Sequence, residues 1–128
     1  MLGFLMKLVL DCFTKNYFNF RARASRREYW LFQFMFFLIV FAVVFMEKLG
    51  FSIDTFGGVI VMLILVPGAS VTVRRLHDTG RSAWFLLLSL IPIVGSICML
   101  ILMCYRGNRE ANAYGDNPLL LEQLASSW

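Results

Sequence analysis

The side chains best suited to chemistry sit in two short basic stretches. One is Arg21-Ala22-Arg23-Ala24-Ser25-Arg26-Arg27-Glu28; the other is Arg74-Arg75-Leu76-His77-Asp78-Thr79-Gly80-Arg81-Ser82. Arginine presents a planar fork of donors that grips a carboxylate or phosphate at two points. Arg21, Arg23, Arg26, Arg27, Arg74, Arg75 and Arg81 therefore suit an anionic ligand, either a phospholipid headgroup or an acidic partner. Glu28, His77 and Asp78 are the hydrogen-bonding residues among them. The same residues suit a structural role, which juxtamembrane charge serves first of all. Arg74 or Arg75 can pair with Glu28, and an N-terminal arginine with Asp78, locking helix ends together.

His77 is the only histidine. A metal site would need further ligands, and the adjacent Asp78 alone does not complete one. A His–Asp pair suits a proton relay, yet no serine or cysteine nucleophile is placed to use it. The chain has no Walker loop, no GxGxxG, no HExxH and no GxSxG. No catalytic residue, metal or cofactor is expected. The three cysteines, Cys12, Cys98 and Cys104, have no C-x-x-C spacing and read as reduced packing residues.

The elements that must position these residues are apolar. Of the 128 residues 59% are hydrophobic and 16% charged, and 13 are phenylalanine. A soluble domain this small needs more polar surface than that, so the composition points to an integral membrane protein. Three charge-free runs carry it: Tyr29–Met46, Phe56–Val73 and Ala83–Tyr105, of 18, 18 and 23 residues. A spanning helix needs about 20 apolar residues. The expected fold is all-α, with three transmembrane helices at about 27–47, 56–74 and 83–105. Pro67 falls inside the second run, and Pro92 and Gly95 inside the third; each predicts a kink. A hairpin broken at Ile91–Ser96 is the alternative for the third run. Its halves are too short to span, which favours one crossing.

Ser25-Arg26-Arg27-Glu28 reads as a capping box at the head of the first span. Asp78-Thr79-Gly80 has turn chemistry, and Ser82 is placed to cap the third span. Leu2, Leu5, Met6, Val9, Phe13, Tyr17 and Phe20 recur at helical spacing, so residues 1–20 read as an amphipathic helix lying in the membrane interface. The first residues lack a basic n-region and a cleavage site, so no signal peptide is expected. After Arg106 the chain is polar and predicted as loop to about Pro118. Leu119–Leu124 is a short helical turn in a tail of residues 119–128. Residues 1–118 form one membrane domain.

Charge sets the orientation. Residues before the first span and those between the second and third share a side and hold nine of the 12 basic residues, so they are expected in the cytoplasm. The first loop and the tail then lie outside; a hairpin in the third run would return the tail to the cytoplasm. The arrangement gathers seven arginines with His77, Asp78 and Glu28 on one face. Basic charge on a membrane protein signals topology and headgroups before nucleic acid, so no nucleic-acid partner is expected.

The order of motifs resembles a known family. Arg23-Ala24-Ser25-Arg26-Arg27-Glu28-Tyr29-Trp30 leads into span one. Val73 to Trp84, Leu90 to Gly95 and Asn112-Ala113-Tyr114-Gly115-Asp116-Asn117-Pro118 follow. Together they are similar to the small bacterial inner-membrane proteins called domain of unknown function 805, over about residues 10–118. Ala22 stands where members often have glycine, and the tail past Pro118 is added. The resemblance implies a multi-pass bacterial inner-membrane protein and no activity. The reading reached is a non-enzymatic component that binds phospholipid or a membrane partner, including its own copy. A subunit of an oligomeric transporter or channel is the alternative, and an enzyme acting on lipid phosphate comes third.

Overall fold

A computed structural model describes residues 2–127 of the chain, the side chain of Ser126 excepted. Met1, in the helix expected over 1–20, and Trp128, in the tail expected over 119–128, lie outside the described residues. The architecture is all-helical: α1 (Leu2–Phe13), α2 (Arg26–Lys48), α3 (Asp54–Asp78), a 3₁₀ helix (Ala83–Leu90), α4 (Val94–Cys104) and α5 (Pro118–Ser126).

Local chemistry sets the ends of the two long helices. Ser25 caps α2, its hydroxyl accepting from the Glu28 backbone N–H at 3.2 Å. The reciprocal half of the expected capping box is absent, because the Glu28 carboxylate is taken by Arg74. α2 closes at Gly50 and α3 at Gly80, with φ of 92° and 77°. In each case two bonds wrap the last turn: Gly50 N to Glu47 O and Phe51 N to Met46 O, then Gly80 N to His77 O and Arg81 N to Leu76 O. These are Schellman closures, which a left-handed glycine makes without Cβ strain. Arg74 to Asp78 are therefore the last turns of α3, which runs past the expected end at residue 74; the chain turns only at Thr79–Gly80.

α2 and α3 form an antiparallel pair. Glu28 meets Arg74 at one end, Phe32 lies against Gly68, and Val43 lies against Gly57 near the other. α1 packs on both, with the Phe13 ring 5.4 Å from Phe32. It ends at Phe13, short of the expected residue 20. Thr14 bonds back to Leu10 O and Asn16 N reaches Asp11 O, which turns the chain. The carbonyls of Asn16 and Asn19 then lie 2.8 and 2.6 Å from the Ser70 hydroxyl. Tyr17 solves a problem that Pro67 creates. Proline lacks the N–H that would bond the carbonyl of Leu63 four residues back. The Tyr17 hydroxyl donates to that carbonyl at 2.7 Å, and α3 runs through Pro67 as a helix.

The third apolar run departs from the single crossing expected over 83–105. It is a 3₁₀ helix, a break at Ile91–Ile93, and the 11-residue α4. Ile93 has a φ of 64°, a conformation rare for a β-branched residue. At this turn α4 folds back so closely that a Cβ on Gly95 would meet the carbonyl of Leu88. A straight 23-residue helix would separate its ends by about 33 Å. Here Arg81, before the run, lies over the Tyr105 ring at its end, 5.3 Å from the centroid. Ser82, expected to cap the span, makes no side-chain cap bond.

Polarity is distributed inside-out. Phe34, Phe37, Phe41, Phe45, Phe56 and Met62 are exposed along α2 and α3, while the two bulkiest fully buried side chains are Arg74 and Arg75. Water-soluble folds rarely bury arginine and keep exposed apolar patches small. α2 and α3 are long and apolar enough to cross a membrane; α4 is apolar but too short.

Candidate functional site: an arginine cluster where three segments meet

The ends of α2 and α3 meet the tail that follows α4, and the sequence-predicted residues divide there into two sets. The first is sealed. Arg23, Arg74 and Arg75 have side chains at most 2% exposed. Asp78 lies between two of them: Arg23 Nη2 is 2.8 Å from its Oδ1, and Arg75 Nη1 pairs with its Oδ2. The rest of the Arg23 fork is filled by backbone, with donors to the carbonyls of Asn108 (2.5 Å), Glu110 (2.9 Å) and Gly115 (3.1 Å). Arg75 likewise donates to the carbonyls of Met103, Ala24 and Tyr105. Arg74 pairs with Glu28 at 2.5 Å, and its Nε makes no hydrogen bond. These are the pairs that the structural role requires. Removing one partner of such a buried pair leaves an uncompensated charge and costs about 3–5 kcal/mol.

Cys12 completes the sealed set. Its thiol lies 3.5 Å from Glu28 Oε1 and 3.8 Å from Arg74 Nη2. Burial, reinforced by the Glu28 charge, pushes it up to about 12, so it stays a neutral thiol. Cys98 is half-buried and Cys104 exposed, so the expectation that all three cysteines are packing residues does not extend to Cys104.

His77 belongs with this set by contact rather than charge. Its ring stacks on Tyr114 at 3.9 Å and 3°, and Nδ1 lies 3.2 Å from Ala22 O. Asn112 Nδ2 donates to His77 O at 2.9 Å. Asn112 and Gly115 exchange backbone bonds in a tight turn that presents Tyr114 to His77 and the Gly115 carbonyl to Arg23. The tail read as loop is therefore a docked latch. Gly107 passes so close to Asp78 that a Cβ there would meet its carboxylate. No group of three metal-ligating side chains is assembled among the described residues.

The second set faces outward. Arg21, Arg26, Arg27, Arg106 and Arg109 are exposed, and Arg81 is half-buried over Tyr105. Arg26 donates to Cys104 O at 3.5 Å. Arg27, 51% exposed, lies 3.8 Å from Glu122 of α5. Between the head of α2 and the tail is a cavity of about 180 Å³, lined by Ser25, Arg26, Arg27, Arg75, Asp78, Arg106, Gly107 and Leu119. Arg106, Asn108, Asn112, Tyr114 and Glu122 belong to this assembly without having been expected there, as Tyr17 was not expected at the Leu63 carbonyl. Asn112 and Tyr114 were visible in the closing motif; Tyr17 was visible only as one apolar-face residue among several.

Comparison with known proteins follows the same outline. Residues 17–116 match a family described as a protein of unknown function, DUF805. The protein named "Inner membrane protein YhaH" of Escherichia coli K12 is 38% identical over 111 residues, covering 83% of this chain and 92% of its own. "Inner membrane protein YhaI" of the same strain is 34% identical over 106 residues, covering 81% and 89%. "Uncharacterized protein YiiR" is 36% identical over 75 residues, covering 56% and 49%. No solved structure matches. The matched segment takes in the buried arginines, Asp78 and the latch, and stops before α5. By the extent of that match, the chain belongs to the DUF805 family.

Proposed function

We propose that this protein is a non-enzymatic inner-membrane component whose cytoplasmic rim of exposed arginines holds anionic phospholipid headgroups. α2 and α3, at 23 and 25 residues, have lengths of about 34 and 38 Å, against a hydrocarbon core of about 30 Å, and act as the two crossings. The 3₁₀ helix and α4 are legs of about 16 Å each, and dip to mid-membrane and return. α1 lies in the interface. In this arrangement every lysine and arginine except Lys48 falls on one side, which the positive-inside rule makes cytoplasmic.

The observation that carries the reading is the division of the arginines. Arg23 and Arg75 have spent their donors inside the protein, and Arg74 is sealed against Glu28. Arg21, Arg26, Arg106 and Arg109 stand exposed with no carboxylate in ion-pair reach among the described residues. Headgroup attraction is worth about 1 kcal/mol per basic residue near the surface. In phosphatidylcholine nanodiscs containing phosphatidylglycerol, the protein retains phosphatidylglycerol preferentially. Combining Arg26→Gln with Arg27→Gln lowers that retention about 30-fold. Unchanged retention in a folded double variant would overturn the reading.

A further inference from the structure

Resting on that reading, one site is built rather than merely exposed. The cavity at the head of α2 has a floor of Arg75 and Asp78, already paired with each other, and Asp78 is held by Arg23 as well. The floor therefore offers no free negative charge. Its mouth carries Arg26, Arg27 and Arg106, three cations on one small opening. Ser25, which is 1% exposed, lines it too, and its hydroxyl is a donor already aimed at a carboxylate: it bonds Glu122 Oε1 at 2.5 Å. The α2 N-terminus adds its dipole to the same point. The volume, about 180 Å³, equals roughly six water molecules in the liquid and admits a tetrahedral oxyanion.

Glu122 is the anion that the chain itself supplies. It comes from α5, beyond the segment that matches the family, and Leu119 of the same helix walls the cavity. Its grip is partial. The carboxylate takes Ser25 but stands 3.8 Å from Arg27, while Arg106 reaches no carboxylate among the described residues. Glu122 stands near Arg27 alone, so Arg26 and Arg106 at the cavity keep their positive charge without a carboxylate in ion-pair reach among the described residues. A phosphate group, with more oxygens in tetrahedral array than a carboxylate, can accept from several guanidinium groups at once. We infer that this cavity is a phosphate-oxyanion site and that Glu122 is its tethered competitor.

The test uses the full chain in phosphatidylcholine nanodiscs, with 20% phosphatidylglycerol or with inorganic phosphate as the probe. Glu122→Gln should raise phosphatidylglycerol retention about three-fold, the size expected for releasing one partly exposed ion pair. Glu122→Ala should do the same, and adding Arg106→Gln should cancel the gain. Asp116→Asn removes an equal charge from the exposed tail and should change nothing. A rise with inorganic phosphate alone would support the oxyanion site while assigning its source to soluble phosphate. An equal rise with Asp116→Asn would reduce the effect to bulk charge and overturn the inference. Unchanged retention with Glu122→Gln, while the Arg26/Arg27 pair still matters, would overturn the inference and leave the headgroup reading standing. Loss of any preference for phosphatidylglycerol in every variant, the wild type included, would overturn both.

Discussion

Two sets of arginines share one end of this molecule and do opposite work. Arg23, Arg74 and Arg75 are enclosed by Glu28, Asp78 and backbone carbonyls; Arg21, Arg26, Arg27, Arg106 and Arg109 look outward a few residues away. Residue type does not separate them, and neither does position along the chain, since Arg23 and Arg26 are three apart. What separates Arg23 and Arg75 from the outward set is the docking of the tail, while Arg74 is closed off by Glu28 and Cys12. The carbonyls of residues 103–115 fill the forks of Arg23 and Arg75, whereas the outward set gets from them one long bond, Arg26 to Cys104 O at 3.5 Å. A basic motif at the end of a long apolar helix thus belongs to two structures at once, a buried fastener and an exposed rim.

The contrast breaks most visibly at Asp78. Asp78→Asn leaves Arg23 and Arg75 both buried without their shared counter-charge, and we expect a loss of about 3–5 kcal/mol in a detergent unfolding titration. A smaller effect belongs to Tyr17. Tyr17→Phe should cost about 1 kcal/mol, because the Leu63 carbonyl loses the donor that replaces the missing proline N–H. In a Pro67→Ala background residue 67 supplies its own N–H, and the cost of Tyr17→Phe should fall toward zero; an undiminished cost in that double-mutant cycle would refute the assignment. The smallest effect belongs to the rim. Arg26→Gln with Arg27→Gln should move stability by no more than about 0.5 kcal/mol, since neither side chain closes the interior. A loss comparable to that of Asp78→Asn would erase the distinction between the two sets.

Much of this was legible in the residues, for reasons that also mark where legibility ended. α2 follows from a charge-free run between a serine cap and a glycine stop, and its bounds differ from the expected 27–47 by one residue at each end. That Glu28 pairs with Arg74 or Arg75, and Asp78 with an N-terminal arginine, follows because they are the only acids within the two basic stretches; that Arg74 takes Glu28 while Arg23 and Arg75 share Asp78 is set by the fold. The folded-back third run did not follow, because length favours one crossing. The break instead depends on Ile93 adopting a positive φ beside Pro92 and on α4 closing onto Leu88 through Gly95. The latch was hidden for a different reason. Arg23 and Arg75 hold the tail through backbone carbonyls, and every residue has one, so nothing in the side-chain pattern announces the contact.

The central claim is that the chain after α4 returns to the side from which α2 starts. Reporter fusions give the most direct test, with one joined to the C-terminus and one placed in the loop between α2 and α3, at Phe51–Ser52. The C-terminal fusion should give a cytoplasmic signal and the loop fusion a periplasmic one. A periplasmic signal from the C-terminal fusion would mean that residues 83–105 cross the membrane, and would contradict the latch on which the division of the arginines depends.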